Sequence, residues 1–300
     1  MLKPKKIFPG DNAAVISPCY GIHVSEKDSI SAAINFCGLN AVFEEHTFDM
    51  SCGYCAKATD RAADFNKAIY DNSIKLIIFD GGEVGNEILP YLDYEAIKRT
   101  PKIICSYSDA TGILNVISSK TGVVTYYGQS WRSPVSSEYN RQCFIDAFFS
   151  SGIPKYRTNG NIETITPGKA SGKLIGGYLL NFSLLMGNPY FTYDKSEKHI
   201  LFLEENIAFN SPPAVSRYLS NIEQNDFFKT VCGIIIGNYS EKYSPDFMRV
   251  IKRFADKRCI PFIKCDDFGH GKNQAILPIG IKASIDAGNK KIQFRESFTL

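Results

Sequence analysis

The sequence is poor in several residue types that mark common functional classes. It has one tryptophan, Trp131, four methionines and four histidines among 300 residues. It has no apolar run near the ~20 residues a membrane-spanning helix requires. The longest runs, such as Leu76 to Phe79 and Cys232 to Gly237, are far shorter, so no membrane partner is expected. After Lys3, Lys5 and Lys6, Pro9 and Asp11 interrupt any secretory core, and a cytoplasmic location is expected. Charge of one sign is not in excess either. The 34 basic and 31 acidic residues leave +3, too little for the footprint of a nucleic-acid polymer. A zinc pattern is also missing. Of Cys19, Cys37, Cys52, Cys55, Cys105, Cys143, Cys232, Cys259 and Cys265, only Cys52 and Cys55 form a C-x-x-C, without a second pair. An odd, scattered set of this kind reads as reduced, buried thiols.

What is present is an alternation of short apolar runs and helical patterns. Ala13–Ser17, Ala41–Glu45, Ile74–Phe79, Lys102–Cys105 and Val123–Tyr127 read as strands. The unbroken apolar Ile77-Ile78-Phe79 and Ile103-Ile104-Cys105 suit parallel strands covered on both faces. Ala62, Phe65, Ala68 and Ile69 fall at helical spacing behind Thr59 and Asp60, which are good N-caps. Strand-then-helix repetition predicts an α/β fold with an open, Rossmann-like parallel sheet and a ligand site at the strands' carboxyl ends. Periodicity weakens from about Ser130 to Gly172, then resumes with strands at Leu174–Gly177, Ile200–Leu203, Gly233–Ile236 and Pro261–Lys264. Helical patterns cover Leu179–Met186, Ala214–Gln224 and Pro245–Lys257. Two domains are expected, residues 1–152 and 172–300, joined by a linker over 153–171.

Three places carry candidate chemistry. Asp80-Gly81-Gly82-Glu83 follows a buried strand, where paired glycines either make an ordinary tight turn or free backbone amides to face a ligand. Ser106-Tyr107-Ser108-Asp109-Ala110-Thr111 ends the next strand and enters a helix, the setting of a nucleophilic elbow or simply of a capped helix. A serine nucleophile needs a base, and the base an orienting acid. His23 and His46 lie near strand ends and His199 in a polar turn. His270, between Gly269 and Gly271 just beyond a strand, is the histidine best placed to project into a site. Glu204 and Glu205 close the apolar strand Ile200–Leu203, where a carboxylate is costly unless paired. Ser108, Glu204 and His270 therefore form a candidate triad. Cys105 and Cys265 are alternative nucleophiles, and Trp131, Tyr126 and Tyr127 are candidates either for a pocket wall or for packing.

These motifs, taken in order, resemble the serine LD-carboxypeptidase family, including its microcin C self-immunity branch, over nearly the whole chain. The resemblance rests on Pro9-Gly10-Asp11, Arg61-Ala62-Ala63-Asp64-Phe65-Asn66, Gly81-Gly82, Leu89–Tyr94 and Tyr107-Ser108-Asp109-Ala110-Thr111. It continues through Gly172–Gly177, Gly187-Asn188-Pro189-Tyr190, Leu201–Glu204, Gly269-His270 and Leu277–Gly280. It implies Ser108 as nucleophile, His270 as base, Glu204 as orienter, and the amides of Gly82 and Asp109 as oxyanion hole. It further implies a smaller, mixed, β-rich second domain, a homodimer, and neither metal nor cofactor. The implied substrates are murein peptides cleaved before a C-terminal D-amino acid or, in the immunity branch, a peptidyl-nucleotide antibiotic. Gly81, Glu83, Tyr107, Trp131 and Tyr178 are the candidate substrate contacts. The family's glycine before Tyr-Ser-Asp is Ser106 here, its Asp after the catalytic Glu is Glu205, and its Gly-Gly-Asn is Gly176-Gly177-Tyr178. Ser106 and Tyr178 leave a non-catalytic murein-peptide-binding protein of the same fold as a further alternative. The immunity branch's pocket tryptophan has no counterpart in Asn159–Thr166.

Overall fold

A computed structural model describes residues 1–206, 211–238 and 245–300. The first half supplies strands β1 (Asn12–Val15), β2 (Asn40–Phe43), β3 (Ile74–Ile78), β4 (Ile103–Ser106) and β5 (Thr125–Tyr127). The second half supplies β6 (Ile162–Thr166), β7 (Lys169–Tyr178), β8 (His199–Glu204), β9 (Val231–Asn238) and β10 (Phe262–Gly269). After these come β11 (Leu277–Ile279), β12 (Lys282–Asp286) and β13 (Lys291–Phe294).

One sheet has the order β11-β5-β4-β3-β1-β2 and is parallel except at β11. Apolar runs such as Ile77-Ile78 and Ile103-Ile104-Cys105 are fully buried at its centre, as strands covered on both faces must be. The other sheet has the order β13-β12-β7-β8-β9-β10-β6, with four parallel strands in the middle and antiparallel strands at both ends. The α/β class and the parallel first sheet are as the sequence pattern predicts, and the mixed second sheet is as the family resemblance implies. No helix among the described residues is long and apolar enough to cross a membrane.

Several local expectations differ from the structure. The helix predicted behind Thr59 and Asp60 begins at Ala58 with Lys57 at its N-cap, so both residues lie inside the first turn. The stretch 153–171, expected to be a linker, contains β6 and the start of β7. β6 is a half-buried edge strand on β10, and its polar Glu163, Thr164 and Thr166 obscure the strand signal. Within the stretch of weak periodicity, Glu138–Phe148 is a helix with Ser137 as N-cap. Its inner face includes the buried, polar Asn140, which accepts from the Gln274 amide at 2.7 Å and breaks the apolar pattern. β11, from beyond residue 172, pairs with β5 in the first sheet. His199, read as part of a polar turn, opens β8 and is buried with its Nδ1 2.8 Å from the Thr230 hydroxyl.

The two sheets are tied together by Asn115, on the helix Thr111–Thr121. Its amide nitrogen donates to the carbonyls of Thr111 at 2.7 Å and Gly176 at 2.8 Å, and its oxygen accepts from the Gly176 amide at 3.3 Å. A buried backbone pair in β7 is thus satisfied by one side chain of the other half. Asn115→Ala strands both Gly176 groups, so urea denaturation should report a loss of about 1–3 kcal/mol of unfolding free energy.

Candidate active site

Ser108 follows β4 after one intervening residue, at the turn into the helix Thr111–Thr121, with φ of +59°, one of two non-glycine residues in the left-handed region among those described. A side chain held there is strained, and the surroundings enforce it. The Ser108 amide donates to the Tyr127 hydroxyl at 3.0 Å, and its carbonyl accepts from the Thr111 hydroxyl at 2.7 Å. The departure at Ser106 costs the elbow nothing visible. Ser106 is an ordinary strand residue without positive φ, and its hydroxyl donates to the Phe79 carbonyl at 2.7 Å. Gly81 is required instead. A Cβ there would stand 2.5 Å from the Ser108 Cβ, so the chain after β3 runs in contact with the serine.

Glu204 is the last residue of β8 and is wholly buried, while His270 stands immediately after β10. His270 Nε2 lies 2.9 Å from Ser108 Oγ, and its Nδ1 lies 2.8 Å from Glu204 Oε2. The same Oε2 accepts from the His270 amide at 3.1 Å. This approach needs glycine before the histidine: Gly269 has φ of +105°, and a Cβ would meet Glu204 Oε2 at 2.7 Å. The other carboxylate oxygen, Oε1, accepts from the Tyr127 hydroxyl at 2.5 Å. Burial disfavours the imidazolium, but the charge and hydrogen bond of Glu204 outweigh it, so the His270 pKa lies above the usual histidine value. Tyr107 and Tyr178 flank the ring with centroids 5.3 and 5.0 Å from it.

A cavity of about 800 Å³ opens over these groups. Gly81, Gly82, Glu83, Tyr107, Ser108, Asp109, Tyr178 and His270 line it, while Glu204 lies beneath. Trp131 is the exception among the expected contacts. It is buried outside the cavity lining, beneath the Arg132 guanidinium, whose carbon sits 4.1 Å from the ring centroid. The wall is Arg132, because the apolar indole packs inward and leaves its charged neighbour at the surface. Tyr126 and Tyr127 are likewise core residues. Tyr126 donates to the Phe298 carbonyl at 2.7 Å, and Tyr127 bridges Ser108 and Glu204 as described.

Asp109 is buried and acts as a knot. It accepts from the Gly85 amide at 2.6 Å and from the Asn181 side chain, fastening the glycine loop of the first half to the second half. Burial raises its pKa, and the donors from Gly85, Cys19 and Asn181 oppose that rise. All nine cysteines are free. Burial pushes the thiols of Cys105 and Cys265 up to about 12, which leaves almost no thiolate at neutral pH. Among the described residues, only His46, Asp49 and Asp60 bring three side chains able to ligate a metal within 4.8 Å of one another, and none lines the cavity.

A buried acid, an imidazole and a serine in hydrogen-bonded series can move a proton off the hydroxyl as it attacks an acyl carbon. The chain matches two family profiles, described as the LD-carboxypeptidase N-terminal domain over residues 13–128 and the LD-carboxypeptidase C-terminal domain over residues 171–285. It is 30% identical to a "Putative carboxypeptidase" of Treponema pallidum, covering 99% of this chain and 96% of that one. It is 29% identical to the microcin C7 self-immunity protein MccF of Escherichia coli, covering 80% and 79%. Its fold superposes over 100% of both chains on an MccF-like protein from Bacillus anthracis, with a TM-score of 0.87 at 27% identity. With both halves of the family matched in order, this chain is a member of the LD-carboxypeptidase family, whose relatives include proteins named as putative carboxypeptidases and the self-immunity protein MccF.

Proposed function

We propose that this protein is a serine hydrolase that cleaves an amide bond of a small peptide through an acyl-enzyme, acting as an LD-carboxypeptidase on murein peptides. The observation that carries this reading is the unbroken series from Ser108 Oγ to His270 Nε2 at 2.9 Å and from Nδ1 to Glu204 at 2.8 Å. In this mechanism Ser108 Oγ attacks the scissile carbonyl while His270 Nε2 takes its proton. Glu204 stabilises the imidazolium and holds the tautomer with the proton on Nδ1. The oxyanion is assigned to the amides of Gly82 and Asp109, the residues that follow Gly81 and Ser108 and line the cavity with them. His270 then protonates the departing amine, and water reverses the sequence to free the acyl group.

A second reading, hydrolysis of a peptidyl-nucleotide, is favoured by the neighbours. MccF in complex with glutamyl sulfamoyl guanosine is 26% identical to this chain over 100% of both, with a TM-score of 0.86. Against it stands the placement of the lone tryptophan behind Arg132, where it cannot stack on a nucleobase in the cavity.

Incubation with murein tetrapeptide, followed by mass spectrometry, should show release of D-Ala by the protein. Ser108→Ala should lower the rate by about 10⁴–10⁶-fold. Release from aminoacyl nucleotide alone would select the second reading. Activity should rise with pH through a pKa above the ordinary histidine value, because only neutral His270 accepts the serine proton. Tyr127→Phe removes the donor on Glu204 Oε1 and concentrates the acid's charge on His270. It also leaves the Ser108 amide without its acceptor, so kcat should fall by about 10–100-fold for the two lost hydrogen bonds, and the acid limb should move to higher pH.

A further inference from the structure

The catalytic cavity has an uneven charge. Among the described residues lining it, Glu26, Asp80 and Glu83 are exposed or half-exposed acids, and Arg132 is the one lysine or arginine. A peptidase that removes a terminal residue has to recognise a free carboxylate, for which a fixed guanidinium is the matching donor.

Arg132 is fixed on three sides. Its plane lies over the Trp131 ring at 4.1 Å, its Nε donates to Asp80 Oδ2 at 3.0 Å, and its Nη2 donates to Glu26 Oε2 at 2.5 Å. Asp80 is the residue before Gly81, the glycine pressed against Ser108, so the guanidinium is anchored to the backbone that passes the nucleophile. Nη1 has no protein partner among the described residues. The fork is therefore pre-set, with Nε held and the Nη1–Nη2 edge available once Glu26 yields. Glu26, at the end of a single 3-10 turn, is the more exposed of the two acids, with 32% of its side chain accessible against 24% for Asp80.

We infer that Arg132 is the receptor for the substrate's terminal carboxylate, which binds the Nη1–Nη2 edge in place of Glu26. The site thereby selects peptides ending in a free α-carboxylate next to the scissile bond. The inference rests on the proposed hydrolase reading and adds the group that makes it a carboxypeptidase. Asp80 keeps its bond to Nε throughout and holds the guanidinium in register, a positioning role.

The test uses murein tetrapeptide and the same peptide with a C-terminal carboxamide. In the wild-type protein the carboxylate form should be favoured in kcat/KM on the order of 10–100-fold, the span of a charge-assisted bidentate contact. In Arg132→Gln that ratio should collapse towards one. Arg132→Lys, which keeps the charge and loses the fork, should fall between. Glu26→Gln should lower KM for the carboxylate form and leave the carboxamide's KM in place. Calorimetric titration of the two peptides into Ser108→Ala reads the same selectivity without turnover, with Arg132→Gln added in the same background and its fold checked by circular dichroism. Equal cleavage of the two peptides by the wild type overturns the inference and leaves the hydrolase reading intact. Preferential binding of the carboxylate form to Ser108→Ala, with no cleavage by the wild type, does the reverse. Equal binding, or no binding of the carboxylate peptide, removes Arg132 as the receptor.

Discussion

The Glu204 carboxylate is the point on which the site's geometry depends. It is fully buried, and such a charge is tolerable only when its lone pairs are occupied. Its oxygens take the His270 amide, the His270 ring and the Tyr127 hydroxyl, which belong respectively to the end of β10 and to β5 of the other sheet. Tyr127 in turn accepts from the Ser108 amide. One carboxylate therefore sets the imidazole, reaches the strained elbow through a phenol and joins the carboxyl ends of strands from both sheets. Removing it would leave three donors in the protein interior without their acceptor.

The elbow shows where a departure from a family pattern matters. Ser106 replaces a glycine, yet the unusual backbone lies two residues later at Ser108, and Ser106 gains a bond to the Phe79 carbonyl. Tyr178 likewise replaces an asparagine and becomes one of two rings against His270. Both substitutions are absorbed without displacing the Ser108–His270–Glu204 series.

Much of the fold and of the candidate site was legible because its signals are local. Unbroken apolar runs such as Ile103-Ile104-Cys105 declare a sheet covered on both faces, while the turn around Ser108 reads as an elbow or as a capped helix until the other motifs are set beside it. Glu204 and His270 stood out as an acid closing an apolar strand and a histidine between glycines. What escaped depends on partners distant in sequence. Nothing near Tyr127 announces that its hydroxyl meets an acid 77 positions away. The helix around Asn140 was hidden because a buried polar residue satisfied from afar interrupts the period. Trp131 drew attention as the single indole, whereas the cavity wall belongs to its neighbour Arg132, and only packing decides which of two adjacent side chains faces inward.

The crossing of β11 into the first sheet has a consequence for how the chain is made. Until residues 277–279 have left the ribosome, β5 remains an open edge with unpaired backbone groups beside the buried Tyr126 and Tyr127. The first half cannot finish its sheet during its own synthesis, and an N-terminal fragment would carry a templating strand that the intact protein covers with its own late-emerging segment. Completion of the molecule and protection from edge-to-edge aggregation are thus the same event.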